Sequence, residues 1–249
     1  MRGYRELAAR LREQIISGEL SPGEKLRRIV DLMDDYGLSR QTVREAIKEL
    51  ADEGLVVTMG KGGTVVRNRT RVKIPLNRYS KVLGPNGARG PWETACAEQG
   101  LDGQMHVVRV ARVQADDRLA EQLGVPVGAE LVHRQRRATL GPDDVVQLQL
   151  VWYPADLADQ VQLAGTSKIK GGVFGALVAA GHRPAAVSER VESRMPTQDE
   201  ADQLKISGKV PVVAVTRTTM NSAGRVMELL QSTAPADRIE LVYDNLPLE

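Results

Sequence analysis

Arg40, Arg44 and Lys48 recur every four residues, with Gln41 and Thr42 beside them. Residues four apart lie on one face of a helix, so the three cations would form a single stripe. Guanidinium groups in such a stripe can bond a guanine edge or a phosphate, a glutamine amide suits adenine, and a threonine hydroxyl suits phosphate. Val43, Ile47 and Leu50 fall at i, i+4 and i+7 on another face and need a core to cover it. Ser39 precedes the run and can accept a hydrogen bond from an orphan N–H at the helix start. A helix built this way, with donors near its N-terminus, suits insertion into the major groove of DNA. Taken alone, a solvated surface helix would carry the same charges, so the flanking residues decide between the two readings.

Those flanks supply what a DNA-reading helix needs to be held in place. Leu7, Leu11 and Ile15 form one apolar stripe and predict a first helix from Tyr4 to Ser17, stopped by Gly18. Pro22-Gly23 marks a turn. Ile29, Leu32 and Met33 predict a short second helix ended by Gly37. Only Leu38 and Ser39 then separate it from the cationic helix, the tight joint of a helix-turn-helix. Leu55-Val56-Val57-Thr58 and Thr64-Val65-Val66 flank Gly60-Lys61-Gly62-Gly63 and read as a hairpin, the wing of a winged helix-turn-helix. The Gly-Lys-Gly-Gly-Thr string is a poor nucleotide loop, because the leading glycine of that motif is missing and no helical pattern follows. A hairpin tip needing positive φ, or close approach to a DNA backbone, explains the glycines better.

At these residues the chain resembles the GntR family of bacterial transcription regulators. The resemblance rests on Ile16-Ser17-Gly18-Glu19-Leu20, Pro22-Gly23-Glu24-Lys25-Leu26, Leu38 to Ala46 with Leu50, Gly54-Leu55-Val56, and Gly63-Thr64. It implies that Ser39, Arg40, Gln41, Thr42, Arg44, Lys48, Lys61, Gly62 and Thr64 contact DNA, Lys61 and Gly62 bringing the wing to the minor groove. The family usually opens its second helix with Pro-Ser-Glu, and this chain has Arg27-Arg28-Ile29. Arg27 and Arg28 are then the expected cationic replacements.

Charge follows the same division. Of the 249 residues, 1–73 hold 15 Lys/Arg against 11 Asp/Glu, and 74–249 hold 19 against 21. The basic end carries the helix-turn-helix, and phosphate neutralisation by its cations predicts salt-sensitive binding. Cys96 is the only cysteine, so an intrachain disulfide is excluded, which fits a reducing cytosol. No apolar run approaches the roughly 20 residues that span a bilayer, and the N-terminus lacks a signal-peptide core. A cytoplasmic protein without membrane attachment is expected. His106, His133 and His182 form no pair at ligand spacing on a helix, so neither a metal nor a cofactor is expected.

The expected organisation is a winged helix-turn-helix over residues 1–68, a linker over 69–77 and a second domain over 78–249. Arg67, Arg69, Arg71 and Lys73 alternate with Asn68, Thr70 and Val72, as either a solvated connector or extra phosphate contacts. Beyond it, β-type runs at 107–113, 131–138, 145–152, 187–194, 212–221, 226–233 and 239–243 alternate with helix candidates at 117–123, 174–180 and 198–204. Strands joined by short turns predict a mainly antiparallel sheet with packed helices, giving an α+β chain overall.

This half resembles the UTRA effector domain of the HutC-type branch of the family, whose fold is chorismate-lyase-like. The carrying residues are scattered: Ala120 with Leu123-Gly124-Val125, Arg134 and Arg136, Tyr153-Pro154, Pro211-Val212-Val213, Arg217, Gly224 with Val226 and Glu228, and Asp237-Arg238. Arg134 and Arg136 lie two apart in a predicted strand and face one side, where two guanidinium groups can clamp an anion; charges pointing to water are the alternative. The resemblance makes Arg134, Arg136 and Glu228 effector-binding residues. Relatives that sense sugar phosphates carry a hydroxyl residue and a tyrosine where this chain has Gly172 and Phe174, and a tyrosine near Ala234 and Pro235. Losing those hydroxyls points away from a phosphorylated sugar and toward a more apolar or otherwise acidic ligand.

Together these readings predict a homodimeric repressor of an inverted-repeat operator on double-stranded DNA, released by a small and possibly anionic effector. Two alternatives stay open. One is an effector-independent repressor, such as a plasmid transfer regulator, and the other is a small-molecule lyase built on the second domain.

Overall fold

The computed structural model describes residues 3–75, 90–167, 169 and 172–244, with the Lys61 side chain outside the described atoms. Two compact units result. One joins residues up to Thr70 with Met195–Pro211; the other joins Arg71–Arg194 with the chain from Val212 onward.

In the first unit the apolar stripes become helices α1 (Tyr4–Ser17), α2 (Ile29–Tyr36) and α3 (Arg40–Asp52). Gly18 and Gly37 adopt the left-handed conformation that closes α1 and α2. Ser39 caps α3, its Oγ accepting from the Thr42 N–H at 3.2 Å. Strands β1 (Val56–Thr58) and β2 (Thr64–Val66) pair antiparallel with Val56 opposite Val66. Leu7, Leu11, Leu32, Val43, Ile47, Leu50, Val56 and Val66 close one core, so each helix and the hairpin bury the side that its periodicity marked. That core fixes which face of α3 remains outside.

The second unit is built on a six-stranded antiparallel sheet in the order β4-β5-β6-β9-β8-β7. Its strands are β4 (Gly103–Gln114), β5 (Glu130–Leu140), β6 (Asp144–Pro154), β7 (Pro184–Arg194), β8 (Val212–Asn221) and β9 (Val226–Pro235). Two further strands, β3 (Val72–Pro75) and β10 (Ile239–Val242), pair parallel, Val72 with Ile239. Helices α4 (Pro91–Ala97), α5 (Asp117–Leu123), α6 (Ala155–Gln160) and α7 (Gly172–Ala179) accompany these strands, and α8 (Gln198–Leu204) follows β7 in sequence but clusters with the first unit. Val132, Val151, Tyr153, Leu157, Phe174, Leu177 and Leu230 form one core, and Leu119, Leu123, Leu131, Trp152 and Leu229 another, so the sheet is covered on both faces.

The expected linker over 69–77 contains strand β3. Val72 is fully buried and Ile74 nearly so, with Lys73 exposed between them. The conspicuous charges Arg69, Arg71 and Lys73 masked a short inward alternation at Val72 and Ile74. Residues 76–77 lie outside the described residues. Arg67, which the connector reading exposed to solvent or phosphate, is buried and donates from Nη1 to the Gly54 carbonyl at 2.5 Å. Among the described residues no helix is long and apolar enough to cross a membrane.

Candidate nucleic-acid interface and ligand cavity

With Val43, Ala46, Ile47 and Leu50 buried, α3 turns Arg40, Gln41, Arg44 and Lys48 to solvent. Thr42 is half-buried and its hydroxyl lies 2.9 Å from Ser39 Oγ. Among the described residues Arg40 and Arg44 join no ion pair, whereas Arg27 pairs with Asp35 and Arg28 with Asp31. The Arg28 pair is bidentate, with both contacts at 2.9 Å. Both pairs are solvent-exposed, and exposed pairs are worth only about 0–1 kcal/mol. Arg27 and Arg28 therefore sit beside aspartates that phosphate contact would have to displace. The Gln41 amide donates to Glu45 Oε1 at 2.8 Å, one turn along the same exposed face. At the wing, Gly63 takes φ 84°, and the Thr64 and Thr58 hydroxyls lie 3.3 Å apart. Gly62 belongs to the tight turn at the tip; the side chain of Lys61 lies outside the described atoms.

In the second unit, cross-strand registry stacks residues from distant parts of the chain. Arg134 of β5 lies opposite Val151 of β6, which lies opposite Leu230 of β9 and then Arg217 of β8. One row along, Arg136 faces Gln149, then Ser232, then Val215. These rows wall a cavity of about 500 Å³, completed by Val107, Phe174 and residues around Thr166. Arg134, Arg136 and Glu228 all line it, together with Arg217, Gln149 and His106. Gly172 and Phe174 line it too, presenting no hydroxyl.

The charged groups differ in what they are free to do. Arg134 is 2% exposed and donates from Nη1 to the carbonyls of Leu163 and Gly165, so it ties down the segment after α6. Glu228 is 1% exposed, and both its oxygens are engaged. Oε1 accepts from Arg217 Nη2 at 2.5 Å and from the Thr219 hydroxyl at 3.3 Å, while Oε2 accepts from Tyr153 at 2.7 Å. Burial pushes the Glu228 carboxyl up, but the charges of Arg217 and Arg136 and the hydrogen bonds from Tyr153 and Arg217 outweigh it and hold the carboxyl below its usual range. It is an ionised anchor for Arg217. The guanidinium of Arg217 also lies 5.5 Å from the Phe174 ring centroid.

Arg136 and Gln149 are different. They are directly opposed across β5 and β6, yet among the described residues the Arg136 side chain makes no hydrogen bond or ion pair, and Gln149 Oε1 is buried without a hydrogen-bond partner. Gln149 is held from its other end: Nε2 donates to Gln147 Oε1 at 2.6 Å, and Gln147 Nε2 reaches Ser232 Oγ at 3.3 Å. A cavity-lining guanidinium with no protein partner is the kind of group that a bound anion would engage.

Sequence reading singled out Arg134, Arg136 and Glu228 but missed Arg217 and Gln149 as cavity residues. The available signal was an arginine inside the apolar alternation of 212–221, and a glutamine in the strand run ending at Tyr153-Pro154. Among the described residues no group of His, Cys, Asp and Glu could hold a metal ion.

Comparison with known proteins matches both units. Residues 3–66 match the bacterial regulatory proteins of the gntR family, and residues 98–240 match the UTRA domain. An HTH-type transcriptional regulator of Streptomyces coelicolor is 30% identical over 246 residues, covering 97% of this chain and 91% of its own. The mannosyl-D-glycerate transport/metabolism system repressor MngR of Escherichia coli is 25% identical, covering 94% and 92%. The crystal structure of PhnF from Mycobacterium smegmatis superposes with a TM-score of 0.62 at 22% identity, covering 97% of this chain and 99% of that one, a likeness of fold. Reading helix, wing and arginine-walled cavity thus sit in a chain that belongs to the GntR family of bacterial regulatory proteins: a DNA-binding transcriptional regulator with a UTRA domain.

Proposed function

We propose that this regulator is a homodimeric repressor that grips an inverted-repeat operator and leaves it when an anionic small molecule fills the cavity. Arg40, Gln41, Thr42 and Arg44 read or position the DNA, Ser39 holds the helix start, Lys48 and Thr64 add backbone contacts, and Lys61 with Gly62 carries the wing to the duplex. The observation that supports this reading best is Arg136. It is a cation in a 500 Å³ cavity whose neighbouring acid, Glu228, is already committed to Arg217. Apolar walls at Val107, Phe174 and Leu230 favour an anion attached to an apolar body over a polyhydroxylated one. The effector must bind the DNA-incompetent arrangement more tightly, or it cannot release the operator.

The experiment is selection of bound duplexes from random fragments, followed by gel shifts of the winner against a panel of aromatic carboxylates, aliphatic dicarboxylates and sugar phosphates. Release by a carboxylate or phosphate supports the reading. Recovery of a palindrome that no member of the panel releases, with no panel member raising the melting temperature, favours an effector-independent repressor. The lyase alternative needs a carboxyl group able to exchange protons, and both oxygens of Glu228 are held by Arg217, Thr219 and Tyr153.

A further inference from the structure

Residues 195–211 connect β7 to β8, two strands of the large sheet, yet they cluster with residues 1–70. The segment is not a loose loop. Thr197 and Glu200 form a reciprocal capping box at the start of α8, Thr197 Oγ1 accepting from the Glu200 N–H at 3.2 Å and Glu200 Oε2 accepting from the Thr197 N–H at 2.8 Å. Ala201, Leu204, Ile206 and Val210 are buried. It is fastened to the DNA-reading helix at Asp52. Asp52, the last residue of α3, accepts from Ser207 Oγ at 2.9 Å and from Lys209 Nζ at 2.8 Å. That socket lies at the opposite end of α3 from Arg40 and the Ser39 cap, roughly 18 Å away along the axis at 1.5 Å per residue. Holding the helix there leaves the end that meets DNA unobstructed.

The strands that bracket the segment both carry cavity residues. β7 holds Glu189, opposite Arg217 and five residues before its end at Arg194, and β8 holds Arg217, eight residues beyond Lys209. Arg217 lines the large cavity, and Glu189 with Arg217 lines an adjoining one of about 60 Å³. A ligand that draws on Arg217 therefore acts on a strand continuous with the clasp at Asp52.

We infer that residues 195–211 are a strut, carrying the state of the Arg217 wall to the C-terminal end of the reading helix, with Asp52 as its socket. The clasp is an ion pair with Lys209 largely exposed, reinforced by one hydroxyl. Such a joint is weak enough to be shifted by ligand binding and specific enough to fix where α3 is held. This rests on reading the cavity as an effector site and deepens it by naming the route of regulation.

The test uses the full chain without DNA or effector, so its failure leaves that reading standing. Amide hydrogen exchange is compared in the wild type, Asp52→Ala, Lys209→Met and Lys209→Arg. Asp52→Ala and Lys209→Met are expected to speed exchange in residues 195–211 and onward through Val212 to Arg217, while Lys209→Arg stays close to the wild type. Unchanged protection in α1 and the β1–β2 hairpin shows that the winged unit is still folded, and Lys209→Met carries the test if Asp52→Ala fails that control. Faster exchange confined to 195–211, with β8 unmoved, would overturn the strut and leave a local clasp. No change in 195–211 would overturn the clasp as well.

Discussion

Arg217 Nη2 and Glu228 Oε1 meet at 2.5 Å between the paired strands β8 and β9, with their side chains 9% and 1% exposed. The pair divides the cavity's cations by role. Arg217 is held by a carboxylate and Arg134 by two backbone carbonyls, which leaves Arg136 as the cavity arginine whose side chain makes no hydrogen bond or ion pair among the described residues. A buried anchor of this kind is a structural commitment, because removing one partner strands the other charge in a poorly solvated place.

Glu228→Gln should therefore destabilise the chain by about 3–5 kcal/mol in urea unfolding near neutral pH. The pH dependence has a definite sign. The folded carboxyl sits below its usual range, so its contribution is present above the unfolded-chain pKa of roughly 4.3 and is lost as pH falls through the lower folded value. The difference between wild type and Glu228→Gln should shrink across that acid window. A difference that stays constant from neutral pH down through it would contradict an ionised Glu228.

Arg44→Ala should weaken binding to the selected duplex by about 1–3 kcal/mol if Arg44 makes a bidentate base contact, and should relax preference at one base pair of each half-site. A phosphate contact instead weakens all sequences alike and flattens the salt dependence. Gel shifts of the matched and single-mismatch duplexes at two salt concentrations distinguish these outcomes, and undiminished binding by the variant removes Arg44 from the interface.

Ser39→Ala tests the cap that presents this surface. Losing the Oγ contact to the Thr42 N–H should cost about 0.5–2 kcal/mol in stability. Its effect on DNA affinity should appear as well, since Arg40 and Thr42 lie in the first turn. A variant as stable as the wild type would mean that water replaces the cap without loss.

What could be read without coordinates divides along physical lines. The reading helix was legible because one short segment holds its cap, its core stripe and its charges, and local spacing fixes all three. Strands of the second domain were legible as runs, because Val212 to Asn221 is long and rich in β-branched residues and Val226 to Thr233 follows it across a short Gly224 turn. Strand β3 was not, since Val72 and Ile74 are only two inward positions among four cations, and their partners Ile239 and Leu241 lie far along the chain. Helices α4 and α6 are seven and six residues long and start without a side-chain cap, whereas the equally short α5 and α8 are announced by Asp116 and by Thr197 with Glu200. The cavity was half legible. Arg134 and Arg136 share a strand, so their common face follows from spacing, but the row that sets Gln149 beside Arg136 depends on strand registry. That Glu228 anchors Arg217 depends on side-chain geometry that no motif encodes.

Arg136→Gln and Arg134→Gln should then part company. Arg134→Gln removes the donor to Leu163 and Gly165 and leaves those carbonyls unsatisfied, so it should lower the melting temperature with or without ligand. Arg136→Gln should leave the melting temperature within a few degrees of wild type, and binding to the selected duplex unchanged. Its loss should fall on the anion that releases wild type from DNA. A charge-assisted hydrogen bond worth about 1.5–3 kcal/mol corresponds to a roughly ten- to hundredfold weaker release constant. Equal effector sensitivity in wild type and Arg136→Gln would remove Arg136 from anion binding.

Cys96 provides a check on the packing beside the cavity. It is fully buried, and burial, followed by the charges of Glu93 and Asp102, pushes its thiol up to about 12. The thiolate is the reactive form, so at pH 8 almost none is present in the folded chain, and the little that exists is shielded. Its neighbourhood is tight: a Cβ on Gly103 would fall 2.3 Å from Cys96 Sγ. Alkylation by iodoacetamide should therefore be slow in native buffer and should rise with urea in parallel with global unfolding. Gly103→Ala, which forces the strand away from α4, should speed labelling well below the unfolding midpoint. Prompt labelling of the native wild type would mean that α4 opens from β4 independently, and that the cavity wall bearing Trp92 is not fixed.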